Sequence, residues 1–176
     1  TTVSSRLRNN VPGYQWVFTT RGYCFKISME QELYNTDPSE KYQHIHNVIQ
    51  KIPTSYLVGL EVISGHNEVI GKQEVGTVFY ESIPGALGHG SSHYISIAYN
   101  SFSISDNSRL GFNVMTIIHE IGHALEQEIR TTEGDSNILD RWEQHIINDR
   151  IDVSNYGNTS RKEDQAEFAK YYAYAL

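Results

Sequence analysis

The chain has 176 residues, 39% of them hydrophobic and 20% charged, with a formal net charge of −7. That length supports one domain with a sizeable core, divided at most into two lobes around a cleft. The acidic balance argues against nucleic acid or an anionic membrane as partner, and no apolar run approaches the ~20 residues of a membrane span.

The opening Thr1-Thr2-Val3 carries no signal-peptide pattern and reads as a mature or trimmed N-terminus. Residues 1–13 are polar and are expected to be loose up to Pro12-Gly13. Residues 14–20 and 23–28 are rich in aromatic and β-branched side chains, with Arg21-Gly22 between them, and predict a hairpin. Cys24 is the chain's one cysteine, so no intrachain disulfide forms, and it reads as a small core residue. Asp37-Pro38-Ser39-Glu40 starts a helix that Tyr42, Ile45, Val48, Ile49 and Ile52 continue at helical spacing, and Pro53 ends it. His44 and His46 point to different faces of that helix, so they read as solvent-exposed rather than as a second metal pair. A short helix is expected at 54–57, a strand at 60–64 closed by Gly65, and another extended segment at 75–80.

A loop with Pro84, Gly85, Gly88 and Gly90 occupies residues 83–92, and residues 93–99 read as a strand. That strand is predicted to be an edge on which an extended peptide pairs by main-chain hydrogen bonds. The glycines would let substrate backbone approach closely. Gly88, Gly90, Ser91, Ser92, His93 and Tyr94 are the substrate-binding candidates.

Residues 113–126 then predict a helix, because Val114, Ile117, Ile118, Ile121 and Leu125 recur every three or four residues. On it lies His119-Glu120-Ile121-Gly122-His123. Two histidines four apart leave a helix on one side and can meet one ion. A zinc ion held by neutral imidazoles keeps enough charge to acidify a bound water. Glu120 is placed to act as general base on that water. Two histidines and a glutamate are costly to bury on an apolar helix with nothing to bind. Gly122 sacrifices about 1 kcal/mol of helix propensity, which implies that something packs close there. Glu126 and Glu128 are expected to be solvated. A polar break is expected at 131–135, a helix at 137–148 with Ile138, Leu139, Trp142, Ile146 and Ile147 apolar, and a loop at 152–160. Ser160 starts a last helix, 161–175, whose Phe168, Tyr171 and Tyr172, with Leu176 after it, are expected to pack on the rest. His145 reads as a surface residue.

A catalytic zinc takes three protein ligands and a water. A third histidine six residues beyond His123 is absent, since that position is Ile129. Glu143 lies twenty residues beyond His123, the spacing of a thermolysin-like site, but follows Trp142 rather than Asn. Asp152 would suit an aspartate-using site, yet its spacing to Tyr156 is one residue off. Glu163 is preferred, with Glu167 four residues on along the same face, so that one carboxylate binds metal and the other supports a ligating histidine. Against this, Ser160-Arg161-Lys162-Glu163 is also a capping box, and if Glu163 only caps, Glu167 becomes the better ligand. At this point Glu143, Asp152 and Glu167 remain alternatives.

These motifs resemble the zinc metalloproteases typified by the anthrax lethal factor catalytic domain and the secreted Pro-Pro endopeptidases. The likeness covers roughly residues 40–175: the 83–91 segment leading into a strand, the His119–His123 motif, Tyr156 seven residues before Glu163, and Ala166-Glu167-Phe168-Ala169 after it. The resemblance implies His119, His123 and Glu163 as zinc ligands, Glu120 as base, and Tyr156 as the hydroxyl that stabilises the oxyanion. It implies an α+β, zincin-like fold forming one catalytic domain over 1–176. A lobe at about 14–127 would hold a small twisted, mostly antiparallel or mixed sheet with helices, and a helical lobe would follow at about 128–176. It also implies a secreted or toxin-like, monomeric endopeptidase with one catalytic Zn2+, acting on peptide or protein substrates at Pro-containing sites. The other readings are a zinc protease with a different third ligand, a metal-holding module without turnover, and a structural domain with a fortuitous motif. The pairing of Glu120 with Tyr156 speaks for turnover, because a module that only binds needs neither.

Overall fold

Period-two patterning places Phe25, Ile27 and Met29 on one face of a strand, and all three are fully buried. The computed structural model describes residues 2–3, 11–21, 23–31, 39–57, 74–81, 87–91, 94–98, 107–132 and 134–175. Its strands are β1 (Thr2–Val3), β2 (Val11–Thr20), β3 (Tyr23–Glu30), β4 (Glu74–Glu81), β5 (Gly88–Ser91) and β6 (Tyr94–Ala98). They form one mixed sheet in the order β1-β2-β3-β4-β6-β5. β2 and β3 make the expected hairpin, closed from Thr20 to Tyr23. The β3–β4 and β4–β6 pairings are parallel, and β5 returns antiparallel to β6. The architecture is α+β.

The helices are α1 (Ser39–Lys51), α2 (Thr54–Leu57), α3 (Asn107–Thr132), α4 (Ile138–Asp149) and α5 (Arg161–Ala175). Ile45, Val48, Ile49 and Ile52 of the α1 segment meet Phe25, Ile27, Met29, Ile95 and Ile97 of the sheet and Ile117, Ile118 and Ile121 of α3 in one cluster. Burying each such side chain stabilises by roughly 1.5–3 kcal/mol. Arg21, in the hairpin turn at φ 50, ties the sheet to α1. Its guanidinium donates to the Ile49 carbonyl at 2.8 Å and the Ile52 carbonyl at 2.5 Å, closing the end of the helix.

Several expectations change. Residues 2–3 and 11–13 are strand, not loose chain, because Thr2 and Val3 pair with Pro12 and Val11. The predicted loop at 83–92 holds strand β5, so β5 and not the 93–99 segment is the last strand of the described sheet. α3 runs to Thr132, through the expected break, and Thr131 bonds back to the Gln127 carbonyl at 2.8 Å. Glu126 and Glu128 are buried rather than solvated, at 3% and 4% exposure. Glu126 is paired with Arg130 one turn on, at 3.3 Å. His44 and His46 are half-buried. Burial lowers the pKa of His44, which lines a cavity of about 360 Å³ with Val48, Val114 and Ile118. His46 meets the Phe18 ring edge-on at 4.4 Å. Two aromatic residues of α5 pack as expected, Phe168 on Trp142 at 4.9 Å and Tyr172 on Tyr56 at 6.4 Å, but Phe168, Tyr171 and Tyr172 each keep 46–52% exposure. Ile147 of α4 is 61% exposed, whereas His145 lies on the surface as expected. The strand expected at 60–64 and Leu176 lie outside the described residues. Among the described residues no helix is long and apolar enough to cross a membrane.

Candidate metal centre

α3 turns its apolar stripe to the core and His119, Glu120 and His123 to one end of it. His119 and Glu120 are buried, and His123 is half-buried. α5 crosses α3 at Gly122, where an added Cβ would stand 3.0 Å from the Ala169 Cβ and 3.1 Å from the Ala166 Cα. The missing side chain therefore admits the second helix, which accounts for glycine within a helix. The crossing brings Glu163 over both imidazoles. Its Oε2 lies 3.0 Å from His119 Nε2 and 3.3 Å from His123 Nε2. The two rings stand perpendicular, 4.7 Å apart. One potential donor atom from each of the three residues lies within 4.8 Å of the others.

The second nitrogen of His119 decides what the first can do. Nδ1 is 2.9 Å from Glu167 Oε1. A carboxylate only accepts, so Nδ1 carries hydrogen and the neutral ring presents a lone pair at Nε2. That lone pair faces the Glu163 carboxylate at 3.0 Å. Two acceptors that close need a proton or a cation between them. In the metal-free chain a proton serves. Burial disfavours charge on His119, but the Glu163 hydrogen bond and the charges of Glu120, Glu163 and Glu167 outweigh it and raise the pKa. Hydrogen bonds from His119 and His123 hold Glu163 far below the usual carboxylate range. A tetrahedral ion at zinc's usual 2.0–2.1 Å would set its ligand atoms about 3.3 Å apart, close to the 3.0 and 3.3 Å that separate Glu163 Oε2 from the two imidazole nitrogens.

Glu120 lies under β5. An added Cβ at Gly88 would sit 2.5 Å from Glu120 Oε1, and one at Gly90 would sit 2.1 Å from the Glu120 carbonyl oxygen. Burial pushes the Glu120 carboxyl up to about 7, against the pull of His123 and His119. Glu167 is fixed by further partners. Ser154 donates to its Oε2 at 2.8 Å, and Lys170 contacts its Oε1. Burial alone would raise its pKa, yet Lys170 and Ser154 bring it below the ordinary value. Tyr156 sits in the turn before a 3₁₀ segment, Gly157–Thr159, with its ring 5.7 Å from that of His119. It is 56% exposed, and burial together with the Glu163 carboxylate raises its pKa.

No protein-family model matches the chain, and no curated protein matches it.

The arrangement thus rests on geometry. His119, His123 and Glu163 converge, Glu120 and Tyr156 flank them, and Glu167 stands behind His119. The capping reading of Ser160 holds in part, since its Oγ accepts from the Glu163 amide at 3.3 Å. The Glu163 carboxylate is turned to the histidines instead of back to Ser160. Of the alternatives, Glu143 is 54% exposed and pairs with Arg161, and Asp152 is exposed. Of the substrate-binding candidates, Gly88 and Gly90 lie on β5 above α3. Ser91 and Tyr94 pair with each other where β5 meets β6. Ser92 and His93 lie outside the described residues. Sequence reasoning missed Ser154, Lys170 and Asp164. Asp164 is 1% exposed and accepts from the Val153 amide at 2.6 Å and the Trp142 indole at 3.0 Å. Lys170 was readable from its i,i+3 spacing to Glu167. A lone Ser in a loop carries no such signal.

Proposed function

We propose that the chain is a zinc-dependent endopeptidase of the zincin type. The reading is carried by one observation: two imidazole nitrogens and one carboxylate oxygen converge beside a buried glutamate. A donor set with two nitrogens favours zinc over magnesium or calcium, which take oxygen ligands. His119, His123 and Glu163 would hold the ion, which when bound supplies Lewis acidity toward water and the scissile carbonyl.

The remaining work belongs to the chain. Glu120 takes a proton from the attacking water and passes it to the leaving amine. Its burial excludes competing solvent, and beside a bound cation it would be ionised and ready to accept. Tyr156 donates its hydroxyl hydrogen to the carbonyl oxygen as negative charge builds there, a contact that strengthens in the transition state. Glu167 holds the Nδ1–H tautomer of His119 and so keeps Nε2 free to bind. β5 offers main-chain groups to an extended peptide, with Gly88 and Gly90 keeping the strand close over Glu120.

The test joins metal analysis to a peptide-library cleavage profile, with and without chelator. One zinc per chain and cleavage that chelator abolishes are expected. Glu120→Ala should fold, retain zinc and lose nearly all hydrolysis. A wild-type chain with no stoichiometric zinc, and no melting shift when zinc is added, refutes the proposal.

A further inference from the structure

The turn that carries Tyr156 and the carboxylate behind His119 share one side chain. Ser154 Oγ donates to Glu167 Oε2 at 2.8 Å and accepts the Gly157 amide at 2.9 Å. Both directions are forced, because a carboxylate accepts only and an amide donates only. A hydroxyl fills both roles with one atom. From Glu167 the chain of bonds continues through Oε1 to His119 Nδ1 at 2.9 Å.

We propose that Ser154 is a positioning residue that couples the Tyr156 turn to the metal ligand His119 through Glu167. The inference rests on the zinc reading above. Three observations support it. Ser154 is half-buried, so water competes poorly for its hydroxyl. The Gly157 backbone is held against α5 with no room for a side chain, since an added Cβ would stand 2.6 Å from Asp164 Oδ1. Asp164 also accepts the Val153 amide at 2.6 Å, so the turn is clamped on both sides of Ser154. With its backbone held at Val153 and Gly157, the Ser154 side chain has one direction in which to satisfy both bonds. A shift of Glu167 is therefore passed to the turn beneath Tyr156, and a shift of that turn to the His119 ring.

The test uses zinc itself, titrated against a fluorescent chelator, and amide hydrogen exchange followed by NMR. Ser154→Ala should weaken zinc binding about tenfold, the lower end of what loss of an outer hydrogen-bond partner costs a metal site. It should also speed exchange at the Gly157 amide. Ser154→Thr, which keeps the hydroxyl, should restore both. In a Glu167→Gln background, Ser154→Ala should change zinc affinity by less than twofold, because the connection to His119 is already altered. A merely structural serine would lower Tm without these effects. Unchanged zinc affinity in Ser154→Ala, or an equal loss in the Glu167→Gln background, overturns this inference and leaves the zinc reading intact. Failure of the wild-type chain to bind zinc overturns both.

Discussion

Gly90→Ala measures how closely β5 is held to α3. A Cβ built at Gly90 would stand 2.1 Å from the Glu120 carbonyl oxygen, 3.0 Å from its carbonyl carbon and 2.6 Å from the His123 Cβ, whereas ordinary contact begins at 3.4 Å. None of these atoms is the end of a flexible side chain. The strand must therefore lift by roughly an ångström, since close-packed interiors hold no slack of that size. Lifting disturbs the pairing of Gly88–Ser91 with β6. Overpacking of this kind costs about 3 kcal/mol, which for a chain of this length lowers Tm by roughly 6–12 °C. Gly134→Ala is the control. Gly134 has φ +70 with nothing within 4 Å of an added Cβ, so it pays only left-handed backbone strain of about 1 kcal/mol. Thermal unfolding followed by circular dichroism in excess chelator keeps bound metal from masking the difference. If Gly90→Ala melts no lower than Gly134→Ala, the proposed close contact between β5 and α3 is wrong.

Three other expectations follow from the same geometry. Gly88→Ala meets the Glu120 side chain at 2.5–2.8 Å rather than backbone, so it should cost about 1–2 kcal/mol in stability, less than Gly90→Ala, while displacing Glu120 and lowering kcat; steady-state kinetics beside a melting curve separates the two. In the metal-free chain, Glu120 ionises at about 7 when folded, against an ordinary carboxyl value of 4.5. The unfolded chain releases that proton first, so stability falls as pH rises from about 4.5 to about 7. Glu120→Gln removes the loss and should be up to about 3 kcal/mol more stable than wild type at pH 8, and equal to it at pH 4. Superimposable urea-denaturation profiles at pH 8 would rule this out. Glu163→Gln should weaken zinc binding by more than 100-fold and Glu167→Gln by roughly 10–100-fold. The reverse ranking in a chelator titration would exchange their roles.

Much of the site is visible in one dimension because helices repeat. His119 and His123 had to share a face, and Glu163 and Glu167 likewise. The apolar stripe of Ile117, Ile118 and Ile121 had to be buried, as it is. Gly122 announced a close approach without saying what approached. The misses have a common cause. Glu126 and Glu128 are polar residues read as solvated, because burial depends on what packs over them and on partners such as Arg130. Phe168 and Tyr172 were expected to pack on the rest and do so by one face each, against Trp142 and Tyr56, while the residues that α5 buries are Asp164, Gln165, Ala166, Glu167 and Ala169. That helix turns Glu163 and Glu167 to the histidines, Asp164 to Trp142 and Val153, and Ala166 and Ala169 to Gly122.

Local spacing was enough for the β2–β3 hairpin, for α1, for the 113–126 part of α3 and for the pair of imidazoles on one turn, since each shows as a pattern among near neighbours in the chain. The tertiary structure decided which acid of several meets that pair, which strand lies over Glu120, and that Ser154 bonds both Glu167 and the Gly157 amide. Those outcomes depend on how α5 and β5 cross α3, and such crossings are set by side-chain volume at Gly88, Gly90 and Gly122 across long stretches of intervening chain.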